Sequence, residues 1–357
     1  MPARPAIMAI AACAVLACAG PQGTRASTTG GTSSARASAS AGSPAGAHGR
    51  GDPLVWRVES SGHVSYLLGT IHLGATLDAT LGTEGAAALE RARNVYVELD
   101  LTQLPDSSMM QQELLRTGVM RDGQSLRVLL GAELWPRFVA LLPGLPPEAL
   151  ERFEPWVGTM MVLSAIVAGP PPGRSSPPAA GENAPPANAS AAATPSGAVP
   201  AHAEPMDLTV ARRAHARGAP VLELDSIREQ LDVLRSGTRE SSLAMLREFI
   251  QAPAHVRRGL DALISAYAGG DAEAAMEQMV AQMAVSSPRF AELLLDRRNT
   301  RWAARLAAPL REGGIFIAAG AGHMVGPRGL VALLRASGFT VQRIRAADTT
   351  STRVQGH

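Results

Sequence analysis

The chain has 357 residues, of which 46% are hydrophobic, so it is long enough to bury a large core. Its net charge is +2 and only 4% of its residues are aromatic, so nothing indicates a basic surface for nucleic acid. We therefore expect a folded protein that has no nucleic-acid partner.

The first 18 residues are typical of a bacterial lipoprotein signal peptide. Arg4 supplies a positive charge, and residues 6–17 form an apolar stretch that is too short to span a bilayer. The sequence Val15-Leu16-Ala17-Cys18 resembles a lipobox, in which Cys18 becomes the lipid-modified first residue of the mature protein. This anchor predicts a membrane attachment in the cell envelope, at the outer membrane or in the periplasm. Ordinary secretion with cleavage elsewhere is the alternative.

Two low-complexity stretches flank or interrupt the pattern of a folded protein. Residues 19–51 are rich in Ser, Thr, Gly and Ala, and we expect a flexible tether. Residues 169–204 are dense in Pro, Ala, Gly and Ser, and predict a disordered surface insertion within one domain at 52–350. The alternative is a linker between two domains. Residues 351–357 form a short tail.

The hydrophobic pattern predicts an α/β fold, with a mixed central β-sheet flanked by helices and a large helical section in the C-terminal half. Residues 54–58 and 64–68 are predicted to form a hairpin around the turn Ser60-Ser61-Gly62-His63. Further strands are predicted at 94–100, 220–224, 315–319 and 340–344. Helices are predicted at 84–93, 107–116, 132–142, 155–167, 207–217, most of 227–310, and 327–336.

Two short motifs that end in histidine are the most informative feature. Gly69-Thr70-Ile71-His72 follows one predicted strand, and Gly320-Ala321-Gly322-His323 follows another. A G-x-x-H turn at the carboxyl end of a strand places an imidazole at the edge of a sheet, where α/β proteins build their sites. The pair indicates one site assembled from both halves of the chain.

An acidic strand end completes a set of residues that suits metal-assisted hydrolysis. Such chemistry needs neutral imidazoles and carboxylates around one ion, with a coordination position left open for water. We therefore predict that His72, His323 and Glu98 are catalytic and bind the metal. Asp100, at the end of the same predicted strand as Glu98, and Asp225, after the strand at 220–224, are candidates for a base or for orienting a ligand histidine. The alternative is that the histidines are hydrogen-bonded structural residues.

Two further patterns have competing explanations. The glycines of residues 320–326 invite a dinucleotide interpretation, but their spacing differs from G-x-G-x-x-G, and a tight strand-to-helix turn explains them. Arg298 and Asn299 lie in a predicted helix at 293–306. They form either part of an exposed charged face or a clamp on a substrate carboxylate or carbonyl.

Taken together, these motifs resemble the TraB/GumN family, which is related to the Tiki metalloproteases. The resemblance covers about residues 54–345 without the insertion, and its matching pieces are residues 66–73, 97–100 and 319–330. It implies that His72, His323 and Glu98 are the catalytic, metal-associated set, and that Arg298 and Asn299 match an arginine–asparagine pair of the family. Where relatives typically have Leu-Glu-Thr, this chain has Leu224-Asp225-Ser226, which puts the reach of the shorter carboxylate in question.

The resemblance also implies a function. It favours a metal-dependent hydrolase, a peptidase that acts on an extracytoplasmic peptide or protein, with manganese or cobalt as in the Tiki enzymes. Manganese suits a site made of carboxylate and imidazole. One alternative is a non-catalytic envelope lipoprotein that binds a peptide or pheromone at the same cleft. Another is a lipoprotein that binds haem or iron.

Overall fold

The structure of the chain is a computed structural model that describes residues 52, 54–72, 75–103, 116–168 and 204–345. The signal peptide, the tether, the tail and the insertion apart from Glu204 lie outside the described residues, as does most of the helix predicted at 107–116. The predicted mixed α/β fold is confirmed. The strands are β1 Val55–Ser60, β2 His63–Thr70, β3 Asn94–Val97, β4 Val221–Glu223, β5 Ile315–Gly320 and β6 Thr340–Arg343.

The six strands form one sheet in the order β4-β3-β5-β2-β1-β6. The four strands from β4 to β2 are parallel, and β1 is antiparallel to both of its neighbours. The carboxyl ends of the four parallel strands therefore meet at one edge of the sheet, which we call the carboxyl edge. Thr70 pairs with Gly320 across β2 and β5, so both G-x-x-H segments leave the same sheet side by side.

The predicted hairpin is confirmed as the pair β1 and β2. Its turn consists of Ser61, with a φ of 48°, and Gly62, with a φ of 81°. Two successive residues with positive φ give a tight turn whose twist matches that of the strands, and glycine adopts this conformation without strain. The turn therefore fixes the register of β2, which carries the first motif.

Helices cover the sheet and form a second apolar core. Buried side chains of β5, such as Phe316 and Ile317, pack with Trp302 in the core around the sheet. A separate helical core is built around Phe138 and Phe249. The helices are α1 Leu77–Thr80, α2 Gly82–Arg91, α3 Leu126–Leu141, α4 Pro147–Leu150, α5 Pro155–Ala168, α6 Met206–Ala216, α7 Ile227–Leu234, α8 Arg239–Gln251, α9 Pro253–Gly269, α10 Ala272–Ser286, α11 Pro288–Ala291, a π-helix Glu292–Asp296, α12 Arg297–Glu312, α13 Ala321–Met324 and α14 Leu330–Ala336.

Two predicted helices differ from the structure. The helix predicted at 327–336 begins only at Leu330, because Gly326 has a φ of 79° and accepts a hydrogen bond from the Gly329 N–H in a turn. The helix predicted at 293–306 is divided between the π-helix and α12. Within the part of the chain that the structure describes, no helix has the length and apolar character needed to cross a membrane.

Candidate functional site

The parallel strands bring four of the predicted site residues to the carboxyl edge. His72 lies two residues beyond β2, and His323 lies in α13, directly after β5. Glu98 is the first residue after β3, which lies on the other side of β5. Asp225 follows β4, the neighbour of β3. The sheet topology therefore gathers side chains from both ends of the described chain at one place.

The first glycine of each motif allows a close approach at this edge. A Cβ atom on Gly69 would lie 3.2 Å from the Cα of Ala321, so glycine lets the first motif pack directly on α13. A Cβ atom on Gly320 would lie 3.2 Å from Oε1 of Glu98. Without that side chain, the Gly320 N–H donates to the same oxygen at 2.7 Å. The glycines thus make room for the packing of the motifs and for the carboxylate between them.

Glu98 is a buried, ionised carboxylate. Its Oε1 accepts from Gly320, and its Oε2 accepts from Nη2 of Arg298 at 2.5 Å. Burial is the largest single effect and raises the pKa of Glu98, but Arg298, the two histidines and the Gly320 N–H together outweigh it and lower the pKa to about 2. The side chain therefore carries a negative charge at neutral pH.

His323 is held as a neutral imidazole. Its Nδ1 lies 2.7 Å from Oδ1 of Asn299, whose amide nitrogen donates to the carbonyl oxygen of Arg328 at 2.9 Å. Its Nε2 lies 3.1 Å from Nη1 of Arg298, which can only donate. The network therefore assigns the proton to Nδ1. Burial and the charge of Arg298 lower the pKa of His323 to about 3.

His72 has a different surrounding, which centres on Asp207. Nδ1 of His72 lies 3.0 Å from Oδ2 of Asp207, at ion-pair distance but without the alignment of a hydrogen bond. Thr70 donates to the other oxygen of Asp207 at 2.9 Å. Burial is the largest single effect and lowers the pKa of His72, but the carboxylates of Asp207 and Glu98 together outweigh it, so the pKa is raised above 6.5. Among the described residues, Nε2 of His72 has no hydrogen-bond partner.

Arg298 is the buried cation at the centre of the site. Its Nη1 and Nη2 contact His323 and Glu98, and its Nε donates to Oδ2 of Asp225 at 2.7 Å. Nη1 also lies 3.1 Å from the carbonyl oxygen of Leu294, in the π-helix, an irregularity that is frequent at functional sites. Burial lowers the pKa of the guanidinium, but the two carboxylates raise it by more, so Arg298 remains charged.

Asp225 anchors this arginine despite its short side chain. Besides Arg298, its carboxylate accepts from Nε1 of Trp302 at 2.9 Å and pairs with Arg301. The Trp302 ring in turn lies 4.4 Å from the His323 ring, between centroids, and 4.6 Å from the guanidinium carbon of Arg298. The carboxylate of Asp225 therefore reaches both Arg298 and Arg301. It holds Arg298 in position without lining the pocket itself.

Asp100 is directed to a different cluster. Its carboxylate lies 2.7 Å from Nε2 of His215 and accepts from the Thr102 hydroxyl at 2.6 Å. Its backbone N–H donates to Glu223. Asp100 is not among the residues that line the pocket with His72, Glu98 and His323.

One pocket joins the polar residues to an apolar surface. It encloses about 740 Å³ of empty space, including solvent at its mouth. We call His72, Glu98, Arg298 and His323 the pocket floor. The apolar wall is formed by side chains of α9, α10 and the π-helix: Leu260, Leu263, Ile264, Met276, Met279, Met283, Leu294 and Leu295. Tyr267 of α9 donates to the carbonyl oxygen of Gly69 at 2.5 Å, which fixes the wall to the first motif.

The donor set fits a divalent ion in its chemistry. Two imidazoles and one ionised carboxylate suit manganese or cobalt. In metal-binding histidines the ring nitrogen that does not bind the ion faces a carboxylate or carbonyl oxygen. Here Nδ1 of His72 faces Asp207 and Nδ1 of His323 faces Asn299, which leaves Nε2 of each ring for an ion.

The position of Arg298 sets a condition on such an ion. Nε2 of His323 and Oε2 of Glu98 are both bonded to the guanidinium. Within the described residues, no three His, Cys, Asp or Glu side chains are grouped as a metal site. A metal ion at the pocket floor would therefore compete with Arg298 for two ligand atoms, Nε2 of His323 and Oε2 of Glu98.

The fold and the site together define a class: a mixed α/β protein whose carboxyl edge carries two G-x-x-H histidines, a carboxylate and an arginine in one pocket. The chain matches the TraB/PrgY/gumN family over residues 54–343 and belongs to that family. It is 23% identical, over 296 residues, to an uncharacterized protein of Treponema pallidum (strain Nichols), and the match covers 79% of this chain and 80% of the relative. No solved structure matches the chain.

Asp207 is the residue of the site that the sequence did not reveal. It is the second residue of α6, shortly after the low-complexity insertion, and has only 3% of its surface exposed. An acidic residue in the first turn of a helix is usually explained by the helix dipole. The only hint in the sequence was its position beside Met206, at the point where apolar periodicity resumes.

Proposed function

We propose that the protein is a metal-dependent hydrolase that cleaves a peptide bond of an extracytoplasmic peptide or protein at the pocket floor. The observation that carries this proposal is that two imidazoles from distant segments meet one ionised carboxylate in a single pocket. Membership of the TraB/PrgY/gumN family supports it, because the family resembles the Tiki metalloproteases in its motifs.

His72, Glu98 and His323 are the proposed ligands of a divalent ion, manganese or cobalt. When bound, such an ion polarises a carbonyl group and lowers the pKa of a water molecule toward neutrality. The remaining roles belong to side chains of the protein. Asp207 holds the ring of His72 in place, and Asn299 fixes the tautomer of His323 through Oδ1.

Arg298 is the proposed stabiliser of negative charge on the reacting carbonyl oxygen. It is buried, charged and part of the pocket floor, and a cation in a site of low dielectric stabilises charge better than one in water. Asp225 keeps the guanidinium oriented through Nε, so that both Nη atoms remain directed at the floor.

The proposed setting is the bacterial cell envelope, with the domain attached to a membrane through lipid on Cys18. The support for this setting is the lipobox-like sequence that ends in Cys18. The proposed partners are accordingly the peptide or protein substrate and the membrane. We do not propose a nucleic-acid partner.

The proposal is tested by metal content and by peptide cleavage. The purified chain is loaded with manganese or cobalt, desalted and assayed for bound metal, and a peptide library is incubated with it in the presence and absence of chelator. We expect about one metal ion per chain and cleavage that the chelator abolishes. His72→Ala and His323→Ala should each lose the metal while remaining folded by circular dichroism.

His215→Ala is the matched control. His215 also pairs with an aspartate, Asp100, but lies outside the pocket, so its removal should leave metal content and cleavage unchanged. Unchanged metal content in both motif variants would refute the metal proposal. Equal losses in the control would show that the effect is not specific to the pocket floor.

A second candidate, capture of a peptide without cleavage, is favoured by the hydrogen bonds of Arg298. The guanidinium of Arg298 is bonded to Nε2 of His323 and Oε2 of Glu98, two atoms that could otherwise bind a metal ion. The floor therefore already holds a cation that can bind a carboxylate or carbonyl. A peptide that co-purifies with metal-loaded protein and keeps its intact mass after long incubation would support this candidate over the hydrolase.

A further inference from the structure

We propose that the apolar wall is a subsite for an aliphatic side chain of the substrate, next to the bond that reacts at the pocket floor. The inference rests on the proposed function for the reaction itself. It adds the chemical class of the group that the pocket selects, namely an unbranched or branched aliphatic chain of the size of leucine or methionine.

The wall consists of single faces of two helices and part of the π-helix. Leu260, Leu263 and Ile264 have the i, i+3, i+4 spacing of one face of α9. Met276, Met279 and Met283 recur at i, i+3 and i+7 along α10. Leu263, Met276 and Met279 belong to the core around the sheet, yet these faces leave open space beside the floor instead of closing on it. An apolar concavity that adjoins a few convergent polar groups is the usual form of a ligand site.

Gly322 keeps the wall and the floor continuous. It precedes His323, and a Cβ atom at this position would lie 3.6 Å from Cε of Met279 and 3.9 Å from Cδ2 of Leu295. These are ordinary contact distances, so a methyl group would fit there and would occupy part of the space between wall and floor. The glycine therefore leaves room for a group that reaches from the reacting bond to the wall.

The distribution of charge argues against a polar occupant. Among the described residues that line the pocket, the ionisable ones are confined to the floor. A charged side chain against the wall would lose its hydration and gain no partner, which is strongly unfavourable. An aliphatic chain would instead remove apolar surface from water on both sides. The three methionines are unbranched and flexible, so they can adapt to aliphatic chains of different shape.

The experiment measures selectivity at one substrate position and its response to Met279. Peptides that differ only at the residue beside the scissile bond, with Ala, Leu, Met, Phe or Glu, are compared as substrates of the metal-loaded chain. We expect Leu and Met to exceed Ala by about tenfold or more in kcat/KM, and Glu to be the poorest. Met279→Phe should shift the preference toward Ala, and Met279→Ala should shift it toward Phe.

Leu295→Ala serves as a second enlargement of the wall, should Met279→Ala fail to fold. Met245→Ala is the matched control, because Met245 packs against the helical core away from the pocket and should leave the preference unchanged. Cleavage without preference for aliphatic residues, or a preference that no wall variant shifts, would overturn the subsite and leave the hydrolase standing.

A binding measurement separates failure of the subsite from failure of the proposed function. N-acetyl-leucinamide and N-acetyl-glutamamide are titrated into the metal-free chain and followed by ligand-observed NMR. Binding of the leucine compound alone, reduced in Met279→Phe, supports the subsite even if no peptide is cleaved, in which case only the hydrolase is refuted. Equal binding of both compounds, or binding of neither, overturns the subsite.

Discussion

The two G-x-x-H segments place their histidines on adjacent strands, at the same edge of the same sheet, yet surround them with opposite charges. His72 faces the carboxylate of Asp207, and the pKa of its imidazole is raised. His323 faces the neutral amide of Asn299 and the guanidinium of Arg298, and the pKa of its imidazole is lowered to about 3.

This contrast separates what a motif fixes from what its neighbours fix. The motif supplies a tight turn, a close approach through its first glycine and an imidazole at the edge. The protonation state of that imidazole is set by residues that lie far away in the sequence, on α6 for one histidine and on α12 for the other. Equal motifs therefore do not imply equal chemistry.

The largest expected effect comes from removing the cation beside His323. Arg298→Met leaves Glu98 and Asp225 buried without their shared partner, which we expect to destabilise the fold by about 3–5 kcal/mol. Urea-induced unfolding measures this loss. Arg301→Met is the matched control: Arg301 also pairs with Asp225, but 45% of its side chain is exposed, so its loss should cost less than about 1 kcal/mol. Similar losses in the two variants would contradict the central position of Arg298.

An exchange of the two neighbours tests the contrast directly. Asp207→Asn removes the charge beside His72 and should lower its pKa, and Asn299→Asp adds a charge beside His323 and should raise its pKa. A charge at such a distance shifts a pKa by about 1–3 units. NMR titration of the two imidazoles in each variant measures the pKa shifts. We expect the smaller pKa shift at His323, because the positive charge of Arg298 remains beside it.

Thr70→Val provides a control for the exchange, since it removes a hydrogen bond to Asp207 but no charge. Its effect on the pKa of His72 should be less than that of Asp207→Asn. Should the imidazoles titrate in the two exchange variants as they do in the parent protein, the electrostatic explanation of the contrast would be wrong.

The same contrast predicts a pH dependence of stability in the metal-free protein. Between pH 6.5 and about 3 the unfolded chain binds a proton that His323 does not bind in the folded state, so stability falls as the pH decreases. Above pH 6.5 the folded state retains a proton on His72 that the unfolded chain releases, so stability falls as the pH rises through the raised pKa of His72.

The two histidines therefore predict a maximum of stability near pH 6.5, with a slope of at most about 1.4 kcal/mol per pH unit from each group. Thermal unfolding over a pH series measures the curve. Asp207→Asn should flatten its alkaline side and leave the acidic side unchanged. If this variant flattened only the acidic side of the curve, the assignment of the acidic side to His323 and of the alkaline side to His72 would be wrong.

Much of the site was predictable because it depends on local patterns. The strand before the second motif is a continuous apolar run, the one before the first motif is apolar from Tyr66 to Leu68, and their parallel pairing is consistent with burial on both faces. His72, His323 and Glu98 were therefore correctly placed at one edge. Arg298 was also singled out, but its contacts with His323, Glu98 and Asp225 were not predicted, because they depend on how α12 packs against the ends of β3, β4 and β5.

Asp100 shows where a local pattern misleads. The sequence predicts a strand over 94–100, and side chains two residues apart on a strand share a face. Glu98 and Asp100 would then point to the same site. In the structure β3 ends at Val97, so the alternation stops before Glu98 and the two carboxylates are directed to different clusters.

The antiparallel pairing of β1 determines the edge of the sheet at which the preceding chain joins the domain. Val55, the first residue of β1, pairs with Leu68, near the end of β2, so the chain enters the sheet at the carboxyl edge. β6 leaves at this same edge, since Arg343 pairs with Trp56. A segment attached before β1 is therefore joined at the edge of the sheet that carries the pocket, and not at the opposite edge.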